Sequence, residues 1–266
     1  MAPRTEGRSL LLADGRRPLL FGHRGCSAAA PENTLAAFQA LLDNGIAGAE
    51  LDVQLTRDGE LVVIHDFNLR RVTGHDAEVR ETDYNAIRSL DAGSWFSPRF
   101  AGERVPRLSE VFETCGDRLY YDLELKWDRR RSNGLERKVV ALIRRYGLEA
   151  RCLVSSFNPF CIVRLRRLAP RLPSAHIWAD RRELPFLLRH GEAGYLLPTP
   201  FIKPEASRIT RLRAASYRLL GSRILAWTVN EEREAARLLG LGVHGLISDE
   251  PVRLRQALRR RGLWAD

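Results

Sequence analysis

The chain has 266 residues, 44% of them hydrophobic, and this length suits one domain, residues 1–266, with a single substantial core. Its formal net charge of +10 is spread along the sequence, and no nucleic-acid motif accompanies the arginine runs at 129–131 and 259–261, so we expect no nucleic-acid partner. The 4 cysteines lack the spacing of a zinc site or a disulfide framework, and no apolar run is long enough for a signal peptide or a membrane span, which predicts a cytoplasmic protein without stable membrane insertion.

Short apolar or β-branched runs alternate with amphipathic segments along the chain, a pattern typical of a parallel sheet flanked by helices. The predicted strands, in chain order, are LLFGH at 19, AELDV at 49, LYYDLELK at 119, CLVSSF at 152, SAHIWAD at 174, GYLLPT at 194, ILAWTV at 224 and GLISD at 245. Eight strand–helix units in a chain of this length predict a closed (β/α)8 barrel, or TIM barrel, whose catalytic groups lie at the C-terminal ends of the strands.

The segment after the second strand departs from this alternation. Asp58-Gly59 lies between two extended runs, which is typical of a two-residue β-hairpin turn, and that turn would place Asp52 opposite His65. We therefore predict a β-hairpin extension of strand 2. Residues from about 66 to 108 carry repeated turn signals and are predicted to form a small insertion subdomain between strands 2 and 3, over the barrel mouth.

Carboxylates occupy one face of the second strand. Because side chains alternate along a strand, Glu50, Asp52 and Gln54 share a face while the residues between them are apolar. The apolar face can pack on the helices, so the acidic face points into the barrel. Buried charges without partners would be strongly unfavourable there, which indicates a functional arrangement or a buried salt bridge.

The neighbouring strands add further charged groups to the same rim. On the third strand, Asp122, Glu124 and Lys126 share one face, and we expect the deeper Asp122 to have a structural role, paired with Lys126. His23 and Arg24 end the first strand, which lies beside the second in a barrel. The predicted site consists of His23, Arg24, Glu50, Asp52, His65, Glu124 and Lys126.

This set has the chemistry of a phosphodiesterase. Carboxylate ligands without cysteine suit a hard divalent cation such as Mg²⁺ or Ca²⁺ better than zinc. Arg24 and Lys126 supply positive charge for an oxyanion, and two imidazoles can act as general acid and general base. Either histidine alone would more often be a hydrogen-bonded structural residue, but the convergence of all these groups on one rim favours catalysis.

The residues resemble the glycerophosphodiester phosphodiesterase family through HRG, PENT, ELDVQLTRDGELVVIHD, LDAGSWFSPRFAGERVP, ELK, SSF, WTVN and GLISDEP, in order along nearly the whole chain. The resemblance implies a TIM-barrel enzyme that hydrolyses small glycerophosphodiesters to sn-glycerol 3-phosphate and an alcohol, usually with one Mg²⁺ or Ca²⁺. Carried over by position, it implies the following roles: His23 and His65 as the catalytic pair, Glu50, Asp52 and Glu124 as metal ligands, and Arg24 and Lys126 as phosphate contacts.

Some features leave substrate and mechanism open. Trp95, Phe157 and Trp227 could line the alcohol side of the pocket, although large aromatic residues are more often core. The sequence reads YLLPTP where many relatives have a histidine before the proline, and VPRL where IPTL is common, departures that we expect to affect substrate choice rather than activity.

Three alternatives remain at this point: a lysophospholipase D or sphingomyelinase D type enzyme on lipid substrates, a non-catalytic phosphodiester-binding protein, and polyanion binding through the arginine runs. The acid and base roles of the two histidines, the nucleophile, and a monomeric or homodimeric state are also left open.

Overall fold

A closed barrel of parallel strands forms the centre of the computed structural model, which describes residues 18–179 and 198–264. The barrel closes because β1 pairs in parallel with both β2 and the last strand, β9, and this confirms the predicted (β/α)8 fold. The strands are β1 (Leu19–Gly22), β2 (Gly48–Leu55), β3 (Leu61–Val63), β4 (Tyr120–Leu125), β5 (Cys152–Ser156), β6 (Ser174–Trp178), β7 (Phe201–Pro204), β8 (Arg223–Ala226) and β9 (Gly245–Ser248).

Helices follow the strands and cover the outside of the barrel. Thr34 begins the first of them by accepting a hydrogen bond from the Ala37 amide at 3.3 Å, and Asn158 caps another whose first residue is Pro159. The helices are α1 (Leu35–Asp43), α2 (Arg70–Thr73), α3 (Tyr84–Ser89), α4 (Leu108–Cys115), α5 (Leu135–Tyr146), α6 (Pro159–Leu168), α7 (Arg211–Leu219), α8 (Glu232–Gly240) and α9 (Pro251–Arg260), with short 3-10 turns at Val79–Glu81, Pro98–Phe100, Gly116–Arg118 and Ala206–Arg208. Within the described ranges, no helix has the length and apolar character needed to cross a bilayer.

The sixth barrel strand lies later in the chain than predicted. Residues 194–197 of the predicted strand are outside the described residues, and Pro198 and Thr199 belong to no strand. The strand is β7, Phe201–Pro204, because Pro198 and Pro200 lack the amide hydrogens that a central strand needs. The residue before the proline in this strand is therefore Lys203, whose side chain is buried.

The hairpin after β2 forms, but its predicted register is wrong by one residue. The antiparallel pairs are Val53 with Val63 and Leu55 with Leu61, and the Ile64 amide donates to the Asp52 carbonyl at 3.0 Å. The turn contains three residues instead of two, because Gly59 adopts the left-handed conformation (φ +82°) that ends such a loop. Asp52 therefore lies opposite Ile64, and His65 follows the end of the strand.

The insertion packs against one face of this hairpin. Leu61 and Val63 on β3 face the main core, whereas Val62 and Ile64 point the other way, as alternation along a strand requires. The second face carries a small apolar core formed by Val62, Ile64, Leu69, Val72, Val79, Tyr84, Ile87, Ala92 and Val105. Residues of the insertion between Leu69 and Val105 thus pack on β3.

The inside of the barrel is divided between apolar and charged residues. Phe21, Leu153 and Phe201 belong to one apolar cluster, and they alternate along their strands with residues of the outer core. Further along β2 and β4, the buried residues on the same face are charged: Glu50 lies opposite Asp122, and Asp52 opposite Glu124. Because like charges on neighbouring strands repel, these strand ends require compensating cations.

Candidate active site

An open cavity of about 1100 Å³ lies at the C-terminal ends of the barrel strands, between them and the insertion. Its wall includes six of the predicted site residues: His23, Arg24, Glu50, His65, Glu124 and Lys126. Asp52 lies just beneath the wall, 1% exposed, with its carboxylate near Arg24 and Lys126. The structure therefore brings the predicted catalytic, metal-binding and phosphate-binding residues to one place.

A tight turn after β1 presents His23 and Arg24 to this cavity. A Cβ at Gly22 would lie 2.5 Å from the Gly25 carbonyl oxygen, and a Cβ at Gly25 would lie 2.7 Å from the Ala37 side chain. Arg24 has a left-handed backbone (φ 55°), a conformation that is strained for a non-glycine residue. In return, its amide donates to Glu50 Oε2 at 3.0 Å, so the turn is tied directly to the acidic strand.

His23 is held by the carboxylate of Asp249, which directly follows β9, the strand that pairs with β1 and closes the barrel. Its Nδ1 lies 2.6 Å from Asp249 Oδ1, and Asp249 accepts further hydrogen bonds from Asn230 Nδ2 at 2.7 Å and Ser27 Oγ at 3.2 Å. Burial lowers the pKa of His23, but the hydrogen bond to Asp249 and the charge of Glu50 outweigh it, so the pKa of His23 is raised. The other ring nitrogen is left for chemistry in the cavity.

His65 follows the hairpin strand and has its own carboxylate partner. Its Nδ1 lies 2.6 Å from Asp66 Oδ1, and Asp66 Oδ2 accepts from Arg71 Nε at 2.6 Å. Gln54 Nε2 lies within hydrogen-bond distance of the carbonyl oxygens of residues 64, 65 and 66, at 2.9, 3.2 and 2.7 Å, and fixes the backbone here. Burial lowers the pKa of His65; Asp52 opposes this, but Lys126 and Arg24 add to it, and the pKa is lowered overall.

Glu50, Asp52 and Glu124 form a cluster that can hold a metal ion. One carboxylate oxygen of each lies within 4.8 Å of the others, and all three residues are buried. Burial and the neighbouring Asp52 raise the pKa of Glu50 to about 7, with Lys203 acting in the opposite direction. A cation among the three would remove this repulsion, and a donor set made only of carboxylate oxygens suits a hard divalent ion, so the residues fit one.

Two cations adjoin the acidic cluster and reach the cavity. Lys126 Nζ lies 3.0 Å from Glu124 Oε1 and 3.7 Å from Asp52 Oδ1. Arg24 donates to Glu32 Oε1 at 2.9 Å and places Nε 3.4 Å from Asp52 Oδ2. Burial alone would raise the pKa of Asp52, but Lys126, His65 and Arg24 hold it well below its usual range. Asp52 is therefore the firmly ionised member of the cluster.

A third cation, Lys203, was missed in the sequence because its strand was misplaced. Lys203 is 2% exposed, and its Nζ lies 2.6 Å from Asp122 Oδ2, 3.1 Å from Ser155 Oγ and 3.9 Å from Glu50 Oε1. The expected pairing of Asp122 with Lys126 is thus wrong: its partner is Lys203. Asp249 was also missed. It directly follows β9, just as His23 directly follows β1, so the rule that catalytic groups lie at strand ends could have indicated it.

Aromatic side chains line part of the cavity. Phe157 and Trp227 are on its wall, with ring centroids 5.6 Å apart at an interplanar angle of 87°, and the Trp227 indole donates to the Lys203 carbonyl at 3.0 Å. Trp95 is not on the wall. It is 44% exposed, and its ring lies 5.9 Å from the Arg71 guanidinium carbon.

Comparison with known proteins agrees with this geometry. A profile of the glycerophosphoryl diester phosphodiesterase family matches residues 23–253. The chain is 36% identical over 249 residues to a glycerophosphodiester phosphodiesterase of Caldanaerobacter subterraneus subsp. tengcongensis, which covers 92% of this chain and 100% of that one.

Solved structures give the same result. A putative glycerophosphoryl diester phosphodiesterase from Silicibacter pomeroyi matches with a TM-score of 0.85 and 31% identity, covering 96% of this chain and 99% of that one. A phosphodiesterase from Oleispira antarctica, solved with the product sn-glycerol-3-phosphate, matches with a TM-score of 0.78 and 29% identity, covering 91% and 97%. This chain belongs to the glycerophosphoryl diester phosphodiesterase family.

Proposed function

We propose that this protein hydrolyses glycerophosphodiesters to sn-glycerol 3-phosphate and an alcohol, in a reaction that needs one divalent cation, Mg²⁺ or Ca²⁺. The observation that carries the proposal is one cavity in which a three-carboxylate cluster lies among two cations and two carboxylate-held histidines. Membership of the family and the product bound to the Oleispira antarctica relative support the same substrate class.

Glu50, Asp52 and Glu124 are the residues that would hold the cation. Among the described residues around the barrel centre, four carboxylates (these three and Asp122) face three cationic side chains, Arg24, Lys126 and Lys203. When bound, a divalent cation supplies positive charge that stabilises the phosphoryl oxygens. Arg24 and Lys126, which reach the cavity, are placed to contact the same phosphoryl group, the first with a planar fork and the second as a point charge.

The two histidines are proposed to act as base and acid. Their surroundings move their pKa values in opposite directions, lower for His65 and higher for His23. Because both shifts start from the same ordinary value, a larger fraction of His65 than of His23 is neutral and able to accept a proton, and a larger fraction of His23 is protonated and able to donate one. His65 would take the proton from the attacking hydroxyl as the new P–O bond forms, and His23 would give a proton to the leaving alcohol oxygen as the old P–O bond breaks. This is an in-line displacement.

The decisive experiment measures sn-glycerol 3-phosphate release from glycerophosphocholine with Mg²⁺ or Ca²⁺. His23→Ala and His65→Ala are each expected to lose at least ~100-fold in kcat, the usual contribution of general acid–base catalysis. His75→Ala, which removes an exposed histidine of the insertion, is the matched control and should keep normal activity. Wild-type protein that releases no product with either metal would refute the proposal.

The same assay separates the nucleophile and the substrate type. A cyclic phosphate seen by ³¹P NMR during turnover identifies the neighbouring glycerol hydroxyl as the nucleophile. The exposed ring of Phe160 at the cavity edge, 43% accessible, favours a test of lipid substrates as the second candidate. Faster turnover of a lysolipid than of glycerophosphocholine would assign a lysophospholipase D type activity. Cytoplasmic location and a monomeric or homodimeric state stay predictions from the sequence.

A further inference from the structure

Arg71 in the insertion binds two carboxylates that belong to different parts of the molecule. It lies on α2, and its Nε donates to Asp66 Oδ2 at 2.6 Å. Its two terminal nitrogens donate to both oxygens of Glu32, which lies in the loop after β1, at 2.8 and 2.7 Å. One guanidinium therefore joins the insertion to the first loop of the barrel.

Each of the two carboxylates is already the partner of a proposed active-site residue. Asp66 lies 2.6 Å from His65 Nδ1, and Glu32 accepts from Arg24 at 2.9 Å. Continuous polar contacts thus run from the proposed base, through Asp66, Arg71 and Glu32, to the proposed phosphate-binding arginine. Arg71 is itself on the cavity wall, and these contacts connect it to both groups.

We propose that Arg71 is a positioning residue, which orients His65 through Asp66 and Arg24 through Glu32 and so ties the insertion to the reaction. The inference rests on the proposed function, because it requires His65 and Arg24 to take part in the reaction. It adds a role for the insertion: Asp66 and Arg71, which both belong to it, would set the orientation and the pKa of His65, the proposed base.

The charge around His65 explains what this positioning would achieve. The charged groups that face His65 are Asp52 and Asp66, which favour its protonation, and Lys126 and Arg24, which oppose it. The guanidinium of Arg71 compensates the charge of Asp66, so that Asp66 orients the ring without strongly favouring the imidazolium form. At His23, by contrast, Asp249 is held by neutral groups of Asn230 and Ser27.

Only an arginine can make this set of contacts. Its planar fork presents donors in two directions, so Nε serves one carboxylate while the terminal nitrogens bind the other in bidentate fashion. A lysine would keep the charge but could not hold both carboxylates in fixed orientation. Arg71→Lys and Arg71→Gln therefore separate the effect of charge from the effect of geometry.

Arg57 offers a matched control. It also makes a bidentate contact between the hairpin and the insertion, with Nε and a terminal nitrogen donating to the two oxygens of Asp83 at 2.8 and 2.5 Å. It is not on the cavity wall. Arg57→Gln thus removes the same kind of ion pair to the same insertion without touching the network of Arg71.

The experiment combines pH profiles with direct titration of His65. In Arg71→Gln, we expect kcat to fall about 10- to 100-fold, as for other residues that orient a catalytic group. The acidic limb of kcat/KM should move about one unit to higher pH, because uncompensated Asp66 favours the protonated form of His65. Arg71→Lys should show a fall in kcat with little movement of the limb, and Arg57→Gln neither change.

A second readout keeps the inference independent of turnover. The His65 imidazole can be titrated by ¹H–¹⁵N NMR in the folded, metal-free protein, where Arg71→Gln should raise its pKa and Arg57→Gln should not. Equal effects of the two glutamine variants, or no shift in either, would overturn the inference. If Arg71→Gln does not fold, the fall in kcat of folded Arg71→Lys decides. Wild-type protein without activity would refute the proposed function, while the NMR titration would still test the network.

Discussion

The two sides of the cavity hold the same chemical pair in different surroundings. On the barrel side, His23 Nδ1 lies 2.6 Å from Asp249, and on the insertion side His65 Nδ1 lies 2.6 Å from Asp66. Nevertheless the pKa of His23 is raised and the pKa of His65 is lowered. The aspartate on the barrel side has neutral hydrogen-bond donors besides the histidine, whereas the aspartate on the insertion side has an arginine. The charge of Glu50 adds to that of Asp249 at His23, whereas burial, Lys126 and Arg24 lower the pKa of His65, and the proposed acid and base roles follow from this difference.

The two sides also differ in how deeply their charges are buried. Lys203 and Asp122 inside the barrel have side chains only 2% and 0% exposed, whereas Arg71 and Asp66 are 41% and 32% exposed. Because a buried charge without its partner is strongly unfavourable and an exposed one is not, the barrel side should respond to mutation mainly in stability and the insertion side mainly in catalysis.

The largest expected effect is on the carboxylate cluster that lies between the two sides. Removal of divalent ions by a chelator, or the substitution Asp52→Asn, should lower kcat at least about 1000-fold, because a bound cation contributes several kcal/mol of charge stabilisation. The assay is product release, with activity restored by added Mg²⁺ or Ca²⁺ in wild type only. Full activity of Asp52→Asn at ordinary metal concentration would contradict the proposed cluster.

Lys203→Met tests the expectation that the buried charges of the barrel side contribute to stability. It leaves Asp122 buried without its cation, and we expect a loss of about 3–5 kcal/mol in the free energy of unfolding, measured by urea denaturation. The double variant Lys203→Met with Asp122→Asn removes both charges and should recover part of that loss. If the double variant were no more stable than the single one, repulsion from an unpaired Asp122 would not be the cause.

Asp249→Asn and Asp66→Asn test the acid and base assignment by pH. Removal of the Asp249 charge should lower the pKa of His23. Because the proposed acid must be protonated, the alkaline limb of the pH profile should move to lower pH. Removal of the Asp66 charge moves the acidic limb to lower pH, and by less, because Arg71 already compensates that charge. Both variants should also lose about 10- to 100-fold in kcat. If Asp249→Asn moved the acidic limb and Asp66→Asn the alkaline limb, His23 would be the base and His65 the acid.

The smallest effect is expected at the exposed edge of the insertion. The Arg57 and Asp83 side chains are 64% and 42% exposed, and water screens their attraction. Arg57→Gln should therefore leave the free energy of unfolding in urea denaturation almost unchanged. A much larger loss would mean that this pair, and not the apolar core on β3, holds the insertion.

Much of this arrangement can be predicted from local sequence rules. The alternation of side chains places Glu50 and Asp52 on one face of β2 and Glu124 on the matching face of β4, and short βα units predict the barrel. These rules work because they depend on residues close together in sequence. They bring the acidic cluster to the barrel mouth without any knowledge of the fold beyond strand order.

The parts that were missed depend on turns and distant contacts. The hairpin register changed because Gly59 adopts a left-handed conformation, and His65 still reaches the cavity because it lies beyond the end of β3. Lys203 was missed because two prolines shift its strand. The partnership of His23 with Asp249 joins residues 226 positions apart; local patterns place each at a strand end but do not pair them.

That long separation has a consequence for how the protein folds. β1 and β9 meet through four pairs of residues, Leu19–Gly22 against Gly245–Ser248, and this contact brings Asp249 to His23. Joining such distant segments costs more loop-closure entropy than forming the hairpin of β2 and β3, because this cost grows with loop length. On refolding from urea, recovery of activity should therefore lag behind formation of the hairpin region, and the kinetics of product formation would report when β1 and β9 pair.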